Sequence, residues 1–247
     1  MSRGWDASRV GSVRILGIDL AAQPENTGAC VVEWLPDRAV AAPAPVEDDA
    51  LVEFARDVDL VAVDAPLGWP DAFVAAVHAH HSGVPWPAGP DSVELRMRLT
   101  DQVLAATRFY PLSVSSDRIV VAAFRAARLA GRLAEGQPRD GSGRLVEVYP
   151  AVALYTWGLP YRRYKGTTGT ALRGALVGRL CAAAPWLEVD AAALCRRDHD
   201  LDALVCALVG RAAATGRTAR PAEDQRDRAR REGWIHVPTA GLDVLGP

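Results

Sequence analysis

Three carboxylates stand where the sequence predicts apolar strands. Asp19 lies near the end of the apolar segment 13–20, and Asp64 closes the segment LVAVD. In RLVEVYP, Glu147 alternates with valines, so it faces the side of the predicted strand opposite to them. A buried carboxylate without a partner is costly, and a single acid of this kind is often a helix cap or an arginine partner. Because ligands gather at the carboxyl ends of strands in open α/β sheets, we expect Asp19 and Asp64 to meet in one crevice.

A fourth acid begins a predicted buried helix. The stretch RRDHDLDALVCALVG is apolar nearly all round after its first turn, which indicates a helix packed against the sheet. Helix capping accounts for Asp198 or Asp200 but not for Asp202, which comes after the first turn has begun. Asp202 lies three residues past His199, so both side chains can occupy one helix face.

This combination of groups predicts a site for a hard divalent cation. Several carboxylates with at most one imidazole suit Mg²⁺ or Mn²⁺ better than zinc or copper. Such ions activate water and stabilise the leaving oxygen in phosphoryl displacement. We therefore expect Asp19, Asp64 and Asp202 to hold the metal, with Glu147 or His199 assisting. His199 is a metal ligand, a proton shuttle or a structural hydrogen-bonding group.

Three further groups have weaker signals. The histidines of HAHH (His78, His80 and His81) precede a Gly/Pro-rich loop and are predicted to be solvent-exposed. Lys165, within YRRYKGTTG, is placed to hold a phosphate where glycines free backbone amides near a helix start. Arg98 and Asp101 lie three residues apart and predict a surface ion pair, unless their helix overhangs the crevice.

Composition restricts the class of protein. The 247 residues contain no apolar run long enough to span a bilayer, and residues 1–11 lack the apolar core of a signal peptide, so we expect a cytoplasmic protein without membrane contact. The four cysteines form no C-x-x-C pair and are predicted to be reduced apolar fillers. A net charge of -2 argues against a broad basic surface, although every basic residue except Lys165 is arginine.

The order of predicted elements indicates a single mixed α/β domain over residues 1–247. Strands are predicted over residues 13–20, 28–34, 38–42, 60–64 and 144–149, with a last short strand in GWIHVP. Helices are predicted over residues 47–57, 71–80, 92–107, 117–135, 151–157, 169–183 and 198–214. Residues 66–143 form a helical insertion in the sheet, and residues 215–232 are predicted to be a poorly ordered loop or a surface helix.

The ordered motifs GIDLAAQPENTG, VDAPLGWP, RMRLTDQ, EVYPAVA, YKGTTG and HDLDALVCAL resemble the domain of unknown function 429 family, predicted nucleases with an RNase H-like fold. The resemblance covers residues 15–211 and GWIHVP. It implies an RNase H-like mixed sheet, with three antiparallel strands followed by parallel strands, flanked by helices. The first strand also resembles that of RuvC-type Holliday-junction resolvases, whose last helix can carry an H-x-x-D pair.

The resemblance also implies roles for individual residues. It implies Asp19, Asp64 and Asp202 as metal ligands. The remaining motifs contain Arg98, Asp101 and Lys165, which are candidates for substrate binding. RNase H carries a further glutamate after its third strand, and the candidates for its equivalent here are Glu47, Glu53 and Glu147.

The leading hypothesis is a nuclease that depends on Mg²⁺ or Mn²⁺ and hydrolyses phosphodiester bonds of DNA or RNA. The oligomeric state stays open, with a homodimer as one option. Two alternatives stay open. Actin-like and sugar-kinase-type phosphotransferases begin with a similar strand, but they repeat the fold, and the sequence contains no second copy. The other alternative is a non-catalytic binding protein that uses the same crevice.

Overall fold

The computed structural model of the protein describes residues 12–86 and 92–247. Residues 1–11, for which no signal peptide is predicted, and residues 87–91 of the proline-rich segment lie outside the described residues.

A six-stranded mixed sheet forms the centre of the fold, in the order β5-β4-β1-β2-β3-β6. Strands β1, β2 and β3 are antiparallel neighbours, whereas β4 runs parallel to β1, β5 parallel to β4, and β6 parallel to β3. This sheet confirms the predicted α/β class with antiparallel strands followed by parallel ones. The strands are β1 Val13–Asp19, β2 Gly28–Trp34, β3 Ala39–Pro43, β4 Leu60–Asp64, β5 Leu145–Glu147 and β6 Leu187–Glu188.

Ten α-helices accompany the sheet in the described residues, and α2 to α5 all lie between β4 and β5. None of these helices combines the length and the apolar character that a membrane crossing requires. The helices are α1 Asp48–Phe54, α2 Asp71–His81, α3 Ser92–Arg96, α4 Leu99–Ala105, α5 Val120–Leu133, α6 Pro150–Thr156, α7 Thr170–Ala183, α8 Ala191–Arg196, α9 Asp198–Ala214 and α10 Arg226–Glu232.

Helix α9 covers one face of the sheet, and the alternation of β1 decides which side chains meet it. Ile15 packs with the buried residues of α9, whereas Leu16 and Ile18 pack on the other face with residues of α1 and α5. Gly17 faces α9, and a Cβ atom there would lie 2.0 Å from the Ala203 carbonyl oxygen. The glycine therefore lets the helix backbone lie directly on the strand.

Two local predictions need correction, and two short elements were not predicted. The helix predicted over 92–107 is two helices, because Arg98 has an extended backbone (ψ 165°) and begins α4 as its N-cap. The predicted strand in GWIHVP makes only two isolated bridges, Ile235 with Glu147 and Pro238 with Thr218. The short elements β6 and α8 were not predicted, since two and six residues carry little periodicity.

The segment predicted as a loop or surface helix, residues 215–232, ends in helix α10 with a fully buried glutamate. Glu232 Oε1 accepts a hydrogen bond from the Asp71 amide at 2.7 Å, and Oε2 accepts one from the Leu99 amide at 2.6 Å. These amides begin α2 and α4, where helix N–H groups lack intrahelical partners. One carboxylate thus joins two helices of the insertion to α10.

Candidate metal centre

Asp19 and Asp64 end adjacent parallel strands at the same level. They are register partners in the β1–β4 pair. Each lies two residues beyond a small residue that faces α9, Gly17 on β1 and Ala62 on β4, so both carboxylates point to the α9 side of the sheet. As predicted, the two acids lie together in a crevice at the ends of their strands.

Asp202 completes the cluster from helix α9. Its side chain is fully buried, and one carboxylate oxygen from each of Asp19, Asp64 and Asp202 lies within 4.8 Å of the other two. The structure therefore brings together the three acids expected from the sequence to hold a metal. Two strand ends and one helix position them, so the cluster depends on the tertiary fold.

The loop before α7 supplies partners to Asp202. The Tyr164 hydroxyl donates a hydrogen bond of 2.6 Å to Asp202 Oδ1, and Lys165 Nζ forms an ion pair of 2.6 Å with Oδ2. Oδ2 is buried, and the ammonium of Lys165 is the partner that the described residues give it. The oxygen therefore faces a cationic group.

Buried Arg173 fixes this loop. Its Nη1 donates to the carbonyl oxygens of Tyr164 at 2.6 Å and Gly166 at 3.1 Å. The Gly166 amide donates to Asp198 Oδ2 at 3.0 Å, which ties the loop to the start of α9. Neither Arg173 nor Tyr164 was predicted as a site residue, and the only sequence signal for Tyr164 was its position next to Lys165.

His199 contacts the cluster from the first turn of α9. Its Nδ1 lies 2.6 Å from Asp19 Oδ2, and the imidazole is 35% exposed. The hydrogen bond to Asp19 raises the pKa of His199, and the nearby negative charges add to the shift against the effect of burial. His199 is thus a proton-holding group beside Asp19.

The cluster carries an excess of negative charge. Burial, followed by repulsion from Asp19, holds the pKa of Asp64 well above its usual range. Burial also raises the pKa of Asp202 to about 6, although the ammonium of Lys165 opposes it. For Lys165 itself, burial lowers the pKa, but attraction to Asp202, Asp64 and Asp19 outweighs burial and raises it. Among the groups described here, one lysine and one histidine face three carboxylates, so a divalent cation would relieve the repulsion.

Glu147 is not part of this cluster. Its neighbours Val146 and Val148 pack on the α9 side, so Glu147 points to the other face of the sheet. Its oxygens accept hydrogen bonds from Arg98 at 2.7 and 2.8 Å and from the Leu67 amide at 3.0 Å. Burial raises the pKa of Glu147 against the opposing charge of Arg98. These contacts give Glu147 a partner other than a metal.

The predicted surface ion pair of Arg98 and Asp101 is wrong, because both side chains are buried. The guanidinium donates two hydrogen bonds to Asp101, two to Glu147 and one to the Glu232 carbonyl oxygen. All five of its N–H groups are therefore engaged within the protein. The two acids share one arginine, which joins α4 to β5 and to the end of α10.

The other candidates are not members of the carboxylate cluster. His78, His80 and His81 are exposed on α2, as the sequence predicts. Cys30 and Cys206 are buried, and all four cysteines are free thiols.

Fold and site together define an α/β protein with a largely buried centre of three carboxylates, formed by the carboxyl ends of two parallel strands and the start of one helix. The chain belongs to the family described as "Protein of unknown function (DUF429)", whose model matches residues 17–226. This match confirms the family membership that the sequence motifs indicate. Neither a curated protein nor a solved structure matches the chain.

Proposed function

We propose that the protein is a nuclease that depends on Mg²⁺ or Mn²⁺ and hydrolyses phosphodiester bonds of nucleic acid. One observation carries the proposal: carboxylate oxygens of Asp19, Asp64 and Asp202 lie within 4.8 Å of one another. The order of the sheet, with three antiparallel strands beside parallel ones, supports an RNase H-like fold for this site.

The donor set fits a hard cation. The three ligands are carboxylates, no cysteine belongs to the cluster, and Oδ2 of Asp202 is buried and faces the ammonium of Lys165. Oxygen donors of this kind select Mg²⁺ or Mn²⁺. When bound, the cation would lower the pKa of a water molecule and neutralise charge on the phosphate.

The chain's own groups have separate parts in the proposal. Asp19, Asp64 and Asp202 hold the cation, and His199 holds a proton beside Asp19 that it can exchange with solvent. Lys165, whose side chain is 55% exposed, places an ammonium at the edge of the acids and attracts a phosphate there. Tyr164 and Arg173 position the acid and the loop.

The test combines metal binding and cleavage. Calorimetric titration with Mn²⁺ is expected to show binding in the unaltered protein and its loss in Asp19→Asn/Asp64→Asn. Branched DNA, RNA/DNA hybrid and single strands are then incubated with both proteins in Mn²⁺. As a matched control, Asp49→Asn removes a carboxylate that is 95% exposed on α1. Cleavage that survives in the double variant contradicts the proposal, and absence of Mn²⁺ binding favours the non-catalytic binding protein.

A further inference from the structure

A cluster of aromatic rings begins beside the carboxylates and extends away from them. Glu147 is the register partner of Val63, and the ladder continues with a hydrogen bond of 2.9 Å from the Val148 amide to the Val63 carbonyl, so Val148 lies level with Asp64 and Tyr149 follows one residue later. The charge of Asp64 adds to burial in raising the pKa of Tyr149. Tyr149 is therefore the ring of the cluster that follows β5, one residue past the level of Asp64.

The rings form a continuous set. The centroid of Phe109 lies 6.2 Å from that of Tyr149, 5.3 Å from that of Tyr155 and 5.6 Å from that of Tyr161. Tyr155 and Tyr161 are 5.3 Å apart. Phe109 is buried, whereas the side chain of Tyr155 is 41% exposed. The buried ring supports the others, and Tyr155 presents its ring to solvent.

Arginines cover this cluster. The guanidinium carbon of Arg108 lies 4.9 Å from the centroid of Tyr155, and that of Arg162 lies 5.0 Å from the centroid of Tyr161. Arg108 also donates a hydrogen bond of 3.1 Å to the Tyr155 hydroxyl. Both arginines are exposed, so their charges are available to an anionic ligand.

An open groove of about 510 Å³ lies along these residues, with Phe109, Tyr155, Val152 and Arg108 in its wall. We call it the aromatic groove. Its volume falls within the roughly 300–1,000 Å³ typical of small-molecule sites. Its wall combines the rings of Phe109 and Tyr155 with the guanidinium of Arg108, and rings and cations are the two features that bases and phosphates require.

The loop that carries Tyr161 leads from the aromatic groove to the acids. Arg162 and Arg163 are exposed, and Arg163 has a φ of 61°, a left-handed conformation that is rare for a non-glycine residue. After this turn the chain buries Tyr164 and brings Lys165 to Asp202. Along this loop, three cationic side chains, those of Arg162, Arg163 and Lys165, therefore follow Tyr161, and the last of them contacts Asp202.

We propose that the aromatic groove binds unpaired nucleotides of a single-stranded nucleic acid, with a base stacked on Tyr155 and phosphates held by Arg108 and Arg162. The direction of the bound nucleic-acid strand, towards the three carboxylates, rests on the proposed nuclease function. Aromatic rings bind single strands because every unpaired base has a free face, whereas the faces of bases in a duplex are already stacked.

The test measures binding of a fluorescently labelled single-stranded oligonucleotide, as DNA and as RNA, by anisotropy in EDTA. Tyr155→Ala is expected to weaken binding roughly 5- to 100-fold, since one stacked base contributes on the order of that factor. Tyr155→Phe keeps the ring and is expected to keep most of the affinity. Arg108→Ala and Arg162→Ala are each expected to lower the affinity and to reduce the salt dependence by about one counterion.

Two control variants lie on α5, which packs on the face of the sheet opposite α9. Phe124→Ala removes a ring that is 50% exposed on α5, and Arg128→Ala removes an exposed arginine of the same helix. Neither is expected to change oligonucleotide affinity. If Tyr155→Ala does not fold, as judged by thermal unfolding, the two exposed arginine variants decide the question.

The groove and the nuclease can fail separately. Equal affinity of the unaltered protein and of the folded tyrosine and arginine variants, or tighter binding of a blunt duplex than of single strands, overturns the groove. Mn²⁺-dependent cleavage together with either result supports the nuclease proposal and contradicts the groove proposal. Oligonucleotide binding in EDTA that depends on Tyr155, in a protein that binds no Mn²⁺, keeps the groove and discards the nuclease.

Discussion

Asp19 and Asp64 are register partners on adjacent parallel strands, and both point to the side of the sheet that α9 covers. This relationship places two negative charges next to each other at a partly enclosed strand edge. The fold keeps the two carboxylates next to each other despite their repulsion. Burial and the charge of Asp19 together raise the pKa of Asp64. An ion site of this kind is expected to cost stability when no cation is bound.

Replacing Asp64 by asparagine is therefore expected to raise the melting temperature of the protein in EDTA. The pKa of Asp64 is higher in the folded protein than in the unfolded chain, so the unfolded chain loses this proton at a lower pH. At neutral pH the negative charge of Asp64 therefore opposes folding. Asparagine carries no such charge. A gain of 1 kcal/mol would raise the melting temperature by about 2–4 °C in a chain of this size.

Differential scanning fluorimetry with EDTA and with Mn²⁺ checks this prediction. Mn²⁺ should stabilise the unaltered protein and have little effect on Asp64→Asn. The exposed Asp49→Asn control should behave like the unaltered protein in both conditions. A melting temperature that falls for Asp64→Asn in EDTA would show that the carboxylate stabilises the fold.

Gly17→Ala is expected to move α9 away from β1. The new Cβ would lie 2.0 Å from the Ala203 carbonyl oxygen and 2.5 Å from the Ala207 amide nitrogen, so backbone must shift. Such overpacking costs roughly 1–3 kcal/mol or more. Mn²⁺ affinity should fall as well, because α9 carries Asp202.

Urea unfolding and Mn²⁺ titration of the same variant measure both effects. Gly178→Ala on α7 is the matched control, since among the described residues its Cβ would meet no atom within 4 Å. There alanine is expected to stabilise the helix by up to about 1 kcal/mol. Unchanged stability of Gly17→Ala would mean that the strand and helix are less closely packed than described.

Arg98→Lys tests whether the buried arginine supports the fold. Lysine cannot make the paired contacts to both Asp101 and Glu147, and it leaves part of two buried carboxylates without donors. Breaking a buried ion pair costs roughly 3–5 kcal/mol. Urea unfolding should show this loss, whereas Arg132→Lys, in an exposed pair with Asp49, should stay within about 0.5 kcal/mol. A stable Arg98→Lys protein with weaker substrate binding would instead support the role implied by the family resemblance.

His236 is expected to make the protein sensitive to acid. The imidazole is buried, with Nε2 3.1 Å from the Asp140 carbonyl oxygen and Nδ1 2.8 Å from the Thr218 hydroxyl. Burial lowers the pKa of His236 to about 4. Between about pH 6.5 and pH 4 the unfolded chain therefore binds a proton that the folded protein excludes, and stability falls by roughly 3 kcal/mol as the pH falls.

Urea unfolding at several pH values, with the unaltered protein and His236→Gln, isolates this effect from the titration of carboxylates. The variant is expected to lose less stability across the window than the unaltered protein. His78→Gln, at an exposed position on α2, should keep the full pH dependence. Parallel pH profiles of the unaltered protein and His236→Gln would exclude His236 as the cause.

The sequence was sufficient to predict the strands and the helix that carry the metal centre. Segments β1 and β4 are apolar runs that end in aspartate, and α9 is a long apolar helix with acids in its first turn, so local pattern and chemistry coincide. The three carboxylates could be grouped because strand ends and helix starts meet at one edge of an α/β sheet.

The partners of buried charges could not be predicted in the same way. Arg98 and Glu147 are separated by 49 residues, and only the tertiary fold shows that they meet. The alternation along β5 correctly placed Glu147 on the face opposite Val146 and Val148. It did not show that α9 covers the valine face. Likewise, position 17 needs a glycine because α9 lies so close to β1. No local sequence pattern reveals that distance.

The Glu232 carboxylate also has a consequence for the order of events during translation. It caps the Leu99 amide across 133 residues of chain and the Asp71 amide across 161. Helices α2 and α4 therefore leave the ribosome long before their shared cap is synthesised. In the nascent chain these helix ends depend on water, and they become fixed only after α10 emerges.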